Sequence, residues 1–165
     1  MVETLEDLLR PNLCAVFVGI NPAPTSVAAG HYYQGPLGQR LWDRLRRAGI
    51  LSSSPGSEDD LAFANGLGFT DLIKRPTVNQ SELRLDEYIY GKPLLAQKIE
   101  RVAPRLVVFT FKKTAAIFFG RFPGSGRIHR QLGRAEVFVM PGPYASRIVA
   151  DAQLAELRRL LSRES

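Results

Sequence analysis

The apolar run Leu-Cys-Ala-Val-Phe-Val-Gly-Ile at residues 13–20 restricts the fold of this chain more than any other feature. The run is continuous rather than alternating, which is typical of a β-strand covered on both faces. Residues 106–110 and 137–140 are similar runs and are predicted to form two further strands. Strands of this kind occur in parallel sheets between layers of helices, so the chain is predicted to be an α/β protein.

Helical patterns alternate with these strands. The spacing of apolar residues predicts helices over residues 2–9, 41–48, 58–65, 92–102, 113–120 and 150–161, and it predicts a connecting segment over residues 66–79. A length of 165 residues suits one compact domain with a single core. We therefore expect one domain, residues 1–165, built as a three-layer α/β/α sandwich around a mostly parallel sheet.

Two proline-rich segments follow predicted strands. Residues 21–37 contain three prolines and two glycines, and this length is typical of a binding or catalytic loop. Residues 141–143 read Pro-Gly-Pro and follow the strand at residues 137–140. Ligands of open α/β sheets bind beyond the carboxyl ends of the strands, so both segments are predicted to border one crevice.

The charge balance favours a polyanionic partner. The chain has 22 Lys and Arg against 16 Asp and Glu, a net charge of +6 and a pI near 9.8. The arginines that surround the apolar face of the helix at residues 41–48 either meet phosphates or form a solvated face. The same two interpretations apply to the basic stretch at residues 121–134, which glycines are predicted to make mobile.

Several classes of chemistry are excluded by residue counts. Cys14 is the only cysteine and there are two histidines, so neither a disulfide nor a Cys/His zinc site can form. We expect no metal and no cofactor. The chain has neither an apolar run of about 20 residues nor a basic, apolar leader. A soluble, cytoplasmic monomer without a membrane partner is expected.

The motifs in the two loops resemble those of a known family. Gly-Ile-Asn-Pro at residues 19–22 is followed by Gly-His-Tyr-Tyr-Gln-Gly-Pro at 30–36 and Leu-Trp at 41–42. Gly-Phe-Thr-Asp-Leu at 68–72, Arg-Pro-Thr at 75–77, Met-Pro-Gly at 140–142 and Ser-Arg at 146–147 then follow in order. This pattern resembles the mismatch-specific uracil/thymine-DNA glycosylases of the uracil-DNA glycosylase superfamily, over nearly the whole chain.

The resemblance implies a three-layer α/β/α fold and a monofunctional DNA glycosylase of base excision repair. Such an enzyme flips uracil, and also thymine or other damaged bases, out of mismatched double-stranded DNA and hydrolyses the N-glycosidic bond without a cofactor. From the residues alone, a damage-recognition module that binds uracil-containing DNA without turnover remains an alternative. A nucleotide-binding protein ranks lower, because the sequence has no Gly-x-x-x-x-Gly-Lys-Ser/Thr phosphate loop.

Asn21 matches the catalytic asparagine of the family, whose side-chain carbonyl positions the attacking water. An amide can orient water and stabilise a cationic sugar, but it cannot take up a proton at neutral pH. Without the flanking motifs, a turn asparagine before Pro22 would be the preferred interpretation.

Asp71 departs from the family, whose better-known members do not generally have a carboxylate at this position. The departure suggests a second water-activating group that acts as a general base where Asn21 cannot. A helix N-cap, or a salt bridge to Lys74 or Arg75, explains the residue equally well.

The base pocket follows from the resemblance as well. Tyr33 matches an aromatic residue that stacks on the flipped base, and a core tyrosine is its alternative interpretation. Ile20 and Ala23 are expected to donate backbone N–H groups to the base oxygens. Ser26 is expected to line the same pocket.

Residues 141–147 match the loop that the family inserts into the duplex. Tyr144 is the expected wedge and Arg147 the cation beside the base left unpaired, with Gly142, Pro143 and Ser146 as further DNA contacts. The loop is one residue longer than usual in the family, and surface packing is the alternative for Tyr144.

Two consecutive lysines begin a predicted helix. Lys112 and Lys113 are expected to meet DNA phosphates together with the free N–H groups of the helix start, and a solvated helix start is the alternative.

Overall fold

The computed structural model describes residues 3–52 and 56–163. In these residues the chain has five β-strands and six α-helices, with a short 3-10 turn at Gln80–Glu82 between β2 and α4. No helix in these two ranges has the length and apolarity needed to cross a membrane. The order is β1 (Ala15–Gly19), α1 (Pro24–Ala29), α2 (Pro36–Arg47), α3 (Glu58–Ala64), β2 (Leu67–Asp71), α4 (Leu85–Val102), β3 (Leu106–Phe109), α5 (Lys112–Phe119), β4 (Gly126–Leu132), β5 (Ala135–Val139) and α6 (Arg147–Ser162).

The strands form one sheet in the order β2-β1-β3-β5-β4. The first four of these are mutually parallel, and β4 is antiparallel to β5 at the edge. Because β1 lies between β2 and β3, the chain first forms the strand on one side of β1 and later crosses over to form the strand on its other side. This switch point is where ligands bind in open α/β sheets.

Side chains of the central strands alternate between two apolar clusters. Val16 and Val18 face the cluster of α4 and α5, whereas Ala15 and Phe17 face the cluster of α2, α3 and α6. Both clusters are almost completely shielded from solvent. The fold is therefore a three-layer α/β/α sandwich with a mostly parallel sheet, which confirms the predicted fold class.

The predicted N-terminal helix is wrong. Val2 lies outside the described residues, and Leu8 pairs antiparallel with Phe69 through two backbone hydrogen bonds of 2.9 and 3.0 Å. Asp7 is held by Lys74 and Lys98, with N–O distances of 2.9 and 2.6 Å. The helical spacing of apolar residues was outweighed because the extended segment satisfies backbone groups along β2.

The segment predicted as a connection, residues 66–79, contains β2. Its two glycines lower β propensity, which is why the sequence pattern did not indicate a strand. Gly68 is required here, since a Cβ atom at this position would collide with the Leu13 side chain and the Leu8 carbonyl oxygen. Helix α4 also begins at Leu85, seven residues before its predicted start.

Half of the basic stretch at residues 121–134 forms strand β4. Ile128 of β4 is buried in the core while Arg127 and Arg130 are exposed, and charged side chains of this kind protect a sheet edge from pairing with other chains. Gly133 and Arg134 form the turn between β4 and β5. Because β5 is parallel to β1, this turn lies at the opposite end of the sheet from the carboxyl ends of the parallel strands.

Candidate active site

The carboxyl ends of β1, β2 and β3 border a cavity of about 290 Å³. The long segment after β1 is not a structureless loop, because α1 and the start of α2 lie within it. Asn21, Tyr33, Asp71, Thr77 and Phe111 contribute to the wall. The residues that the sequence assigned to catalysis and base binding are thus gathered at one place.

The side-chain amide of Asn21 is fixed in orientation. Its nitrogen donates hydrogen bonds to the carbonyl oxygen of Arg75 at 2.9 Å and to Oγ1 of Thr77 at 2.8 Å. A carbonyl oxygen can only accept, so the atom facing Arg75 must be the amide nitrogen. The Asn21 carbonyl oxygen forms no hydrogen bond to the described residues and stays available to a ligand or water. Thr77 belongs to the Arg-Pro-Thr motif, but its place in that motif does not indicate this role.

Asp71 is the last residue of β2 and is almost completely buried. Neither alternative interpretation applies, since Lys74 pairs with Asp7 at 2.9 Å, Arg75 pairs with Glu87 at 2.6 Å and no helix begins at Asp71. Its Oδ2 atom has no hydrogen-bond partner among residues 3–52 and 56–163. Burial raises the pKa of the Asp71 carboxyl to about 7, against which the nearby charge of Lys74 has a smaller, opposing effect.

Tyr33 adopts a left-handed backbone conformation with φ of 59°, which is uncommon for a residue with a side chain. Its ring packs against Trp42 and Phe69, with centroids 5.5 and 6.1 Å away, and also contributes to the cavity wall. Core packing and cavity lining therefore both hold for this residue. The phenol oxygen is buried without a hydrogen-bond partner in the described parts of the chain, and burial together with the charge of Asp71 raises the pKa of Tyr33.

The backbone before Tyr33 is held by a buried carboxylate. Asp59 of α3 accepts hydrogen bonds from the Tyr32 N–H at 2.9 Å and pairs with His31 Nδ1 at 2.8 Å. The Trp42 indole donates to the Tyr32 carbonyl at 3.0 Å. The sequence showed Asp59 only as an acidic residue in a helical first turn, so its positioning role was missed.

The three remaining pocket residues also line the cavity. Ile20 is buried, and its carbonyl accepts from the Ile73 N–H at 2.8 Å, which joins the segments after β1 and β2. Ala23 is the N-cap residue of α1. The Ser26 hydroxyl accepts from the Gln34 N–H at 2.9 Å and so holds the backbone next to Tyr33.

The segment between β5 and α6 presents apolar side chains to solvent. Tyr144 is 89% exposed, and Ile148 in the first turn of α6 is 85% exposed. Ser146 caps this helix by accepting from the Val149 N–H at 3.3 Å. Arg147 is exposed and lies 3.7 Å from Asp151. The exposure of Ile148 beside the predicted insertion loop was not expected, because the sequence pattern predicts that the helix starts at residue 150.

An arginine of α2 holds this segment in place. Arg44 donates from its two terminal nitrogens to the carbonyl oxygens of Pro141 and Gly142, at 2.9 Å each. The solvated-face interpretation is therefore wrong for Arg44. Arg44 is one of four arginines in α2, and nothing in the sequence distinguishes it from the other three.

The two lysines at the start of α5 point to different places. A Cβ atom at Gly142 would lie 3.4 Å from Cε of Lys112, so Lys112 borders Gly142 in the segment after β5. Lys113 Nζ instead lies 4.9 Å from the ring centre of Tyr88 on α4. Lys112 joins the predicted DNA contacts, whereas Lys113 faces the neighbouring helix.

Comparison with known proteins adds independent findings. Residues 6–160 match the model of the uracil DNA glycosylase superfamily. A G/U mismatch-specific uracil DNA glycosylase of Schizosaccharomyces pombe is 31% identical over 113 residues, which is 66% of this chain and 34% of the relative. The chain thus spans about a third of the length of that relative. The solution NMR structure of a candidate uracil DNA glycosylase from Methanosarcina acetivorans has a TM-score of 0.60 and 17% identity, with 99% of this chain and 100% of the other covered, and supports the fold alone.

Proposed function

The chain belongs to the uracil DNA glycosylase superfamily, and from this membership we propose that it is a monofunctional glycosylase acting on uracil in mismatched double-stranded DNA. The relative from Schizosaccharomyces pombe is named for G/U mismatches, so uracil opposite guanine is the first substrate to test. Thymine and other damaged bases are further candidates. The reaction is hydrolysis of the N-glycosidic bond, and it leaves an abasic site.

The fixed amide of Asn21 is the observation that supports this proposal most directly. Both of its hydrogen-bonded contacts, to Arg75 and Thr77, use the amide nitrogen, which leaves the carbonyl oxygen to hold a water molecule. A group that is already oriented does not have to reorganise as positive charge develops on the sugar. The same oxygen dipole would stabilise the oxocarbenium-like transition state.

Asp71 supplies the proton acceptor that Asn21 cannot be. In the proposed step the bond between C1′ and the base nitrogen breaks, and its electron pair leaves with the base. The water oxygen bonds to C1′ while the Asp71 carboxylate takes the water proton and later returns a proton to the departing base. A carboxyl with a pKa raised to about 7 is half ionised near neutral pH, which suits a general base.

The other residues hold the substrate in the proposed complex. Tyr33 would stack on the flipped base, Ile20 and Ala23 would offer backbone N–H groups to its oxygens, and Ser26 would support this wall. Stacking of this kind contributes about 1–3 kcal/mol per base. It offsets part of the cost of removing the base from the duplex.

The exposed segment after β5 would enter the duplex. Tyr144 is the proposed wedge, because its aromatic ring is 89% exposed and could fill the space that an extruded base leaves in the duplex. Arg147 would contact the unpaired partner base or a phosphate. Lys112 is a further proposed phosphate contact, and Gly142, Pro143 and Ser146 shape this surface.

The decisive experiment uses a duplex oligonucleotide with uracil opposite guanine. Wild-type protein in excess should produce an alkali-labile site, whereas Asn21→Ala should lose at least about a hundredfold in single-turnover rate while binding the duplex with similar affinity. Asn21→Asp keeps the side-chain volume but removes the donor to the Arg75 carbonyl, so it should also lose rate if the orientation of the amide matters. Tight binding by the wild type without any alkali-labile cleavage would instead identify a damage-recognition module.

Thymine, hypoxanthine, xanthine and ethenocytosine opposite each normal base complete the panel. The excision rates of Asn21→Ala and Asp71→Ala on each duplex of the panel show which substrates depend on which residue. A lesion whose excision depends on Asp71 alone would identify general-base catalysis as the source of a wider substrate range.

A further inference from the structure

Four arginines on α2 and α6 surround the base of the segment that holds Tyr144. We define the arginine patch as Arg40, Arg44 and Arg47 of α2 together with Arg147 of α6. Arg40, Arg47 and Arg147 are exposed, and only Arg44 is committed to the backbone of the segment. The reaction proposed above uses Arg147 alone of this set.

Arg40, Arg44 and Arg47 follow one another at helical spacing, so they lie on one side of α2. Seven residues of α-helix rise about 10 Å, which equals the rise of about three base pairs along one DNA strand. The charges are also close enough to affect one another: burial, then Arg47 and Arg40, lower the pKa of Arg44. Guanidinium groups gathered against their mutual repulsion indicate an anionic partner.

Few acidic side chains neutralise this surface. Asp43 of α2 pairs with Arg46, at 2.6 Å, and not with a member of the patch. Asp151 of α6 is shared between Arg47 at 3.0 Å and Arg147 at 3.7 Å. The two pairs of Asp151 are exposed, so water and salt screen them and a phosphate could displace them at little cost.

The patch is continuous with the cavity and with the wedge. Arg40 and Arg44 border a small crevice together with Tyr33 on one side and Pro143 on the other. Arg147 follows Ser146 directly at the start of α6. A duplex whose base enters the cavity beside Tyr33 would therefore bring its flanking backbone to the patch.

We propose that the arginine patch binds the phosphodiester backbone of duplex DNA beside the flipped base. This inference rests on the proposed function for the identity of the partner. Phosphate contacts of this kind are independent of sequence and of the lesion, so the patch adds affinity and register without adding base selectivity.

The test uses the full chain with Arg40→Gln and Arg47→Gln combined, which leaves Arg44 and Arg147 in place. The matched control combines Arg101→Gln near the end of α4 with Arg134→Gln in the β4–β5 turn, both exposed and both at the opposite end of the sheet. Each pair removes two positive charges, so net charge is equal in the two variants. Thermal unfolding verifies that both are folded.

The probe is an undamaged 20-base-pair duplex, titrated between 50 and 200 mM salt. The patch variant should bind roughly tenfold more weakly, and its log–log salt slope should be shallower than that of wild type by about 1.8, or 0.9 per lost phosphate contact. The control should stay within about twofold of wild type. Equal affinity and equal slope in the patch and control variants would overturn the proposal.

Single-turnover excision at saturating protein separates this proposal from the proposed function. The patch variant should keep the wild-type rate there, because the cavity is untouched. If wild type binds the duplex through the patch but excises nothing, the proposed function fails alone. If excision is normal while the patch variant binds like its control, only the patch proposal fails.

Discussion

Gly19 and Asp71 are paired in register at the ends of β1 and β2, and the Asp71 carboxylate occupies the space that a side chain at Gly19 would need. The Tyr33 ring closes the same space, at 3.4 Å from the position of the missing Cβ atom. The glycine is thus required by the close approach of a carboxylate and an aromatic ring, not by an unusual backbone angle. It allows both to face one cavity.

Gly19→Ala is expected to displace Asp71 and Tyr33 from the cavity. A misplacement of about 1 Å at a reacting centre can lower the rate about a hundredfold, so single-turnover excision of uracil should fall by that order while duplex affinity changes little. Gly35→Ala is the matched control, because its added methyl group meets only Thr25 Oγ1, at 3.7 Å. Retention of wild-type excision by Gly19→Ala would show that this approach is unimportant for the reaction.

Asp71 also makes stability depend on pH. Its pKa is raised from 3.8 to about 7 in the folded chain, so the folded state binds more protons than the unfolded state between these values. The contribution of Asp71 to the free energy of unfolding is therefore greatest below about pH 4 and is lost as pH rises through about 7. Asp71→Asn removes this titration.

The free energy of unfolding of Asp71→Asn, relative to wild type, should consequently increase by up to about 4 kcal/mol from pH 4 to pH 8. Denaturant titrations at several pH values measure this difference. Asp151→Asn is the control, since it makes the same change at a half-exposed carboxylate of α6. If the difference in unfolding free energy between Asp71→Asn and wild type were the same at every pH, Asp71 would not be the buried, unpaired carboxyl described above.

The rate of excision should follow the ionisation of the same group. A general base acts in its ionised form, so the single-turnover rate should increase about tenfold per pH unit below 7 and level off above. Asp71→Asn should be slower and should lose this dependence. A wild-type profile that is flat from pH 5.5 to 8.5 would rule out proton transfer to Asp71 as part of the rate-limiting step.

The central part of the fold could be predicted from the sequence because buried parallel strands have a simple composition. Residues 13–20, 106–110 and 137–140 contain continuous apolar runs, and β1, β3 and β5 lie within or beside them. Strands β2 and β4 were missed for opposite reasons. Gly68 in β2 permits close packing but lowers β propensity, and the arginines of β4 suit a sheet edge but resemble a charged loop.

The catalytic residues of the site could be predicted individually from the sequence, but the contacts that hold them in place could not. Asn21 and Asp71 were identified from motifs, and the structure brings them to one cavity. Thr77, Asp59 and Arg44 hold the site through hydrogen bonds to residues 27 to 98 positions away in sequence. Such partners follow from the three-dimensional packing, which a local sequence pattern does not contain.

Thr77 should be needed for catalysis without touching the sugar. Thr77→Val keeps the shape of the side chain but removes the oxygen that accepts from Asn21, so the amide keeps only its bond to Arg75. Loss of one hydrogen bond of about 1.4 kcal/mol corresponds to about a tenfold slower single-turnover rate. Thr77→Ser should restore most of the rate, whereas equal rates for the Val and Ser variants would exclude this positioning role.

Arg44 should act on base flipping through the segment that holds Tyr144. Arg44→Gln loses the paired hydrogen bonds to the Pro141 and Gly142 carbonyls, and Arg44→Lys keeps the charge but not the planar fork that makes both bonds. Both variants should therefore reduce flipping, measured by the fluorescence of 2-aminopurine beside the lesion, by a similar factor. Tyr144→Ala should do the same, and combining it with Arg44→Gln should add little, because the two residues act on one step. Additive losses in the double variant, or full flipping by Arg44→Lys, would mean that Arg44 contributes only its charge.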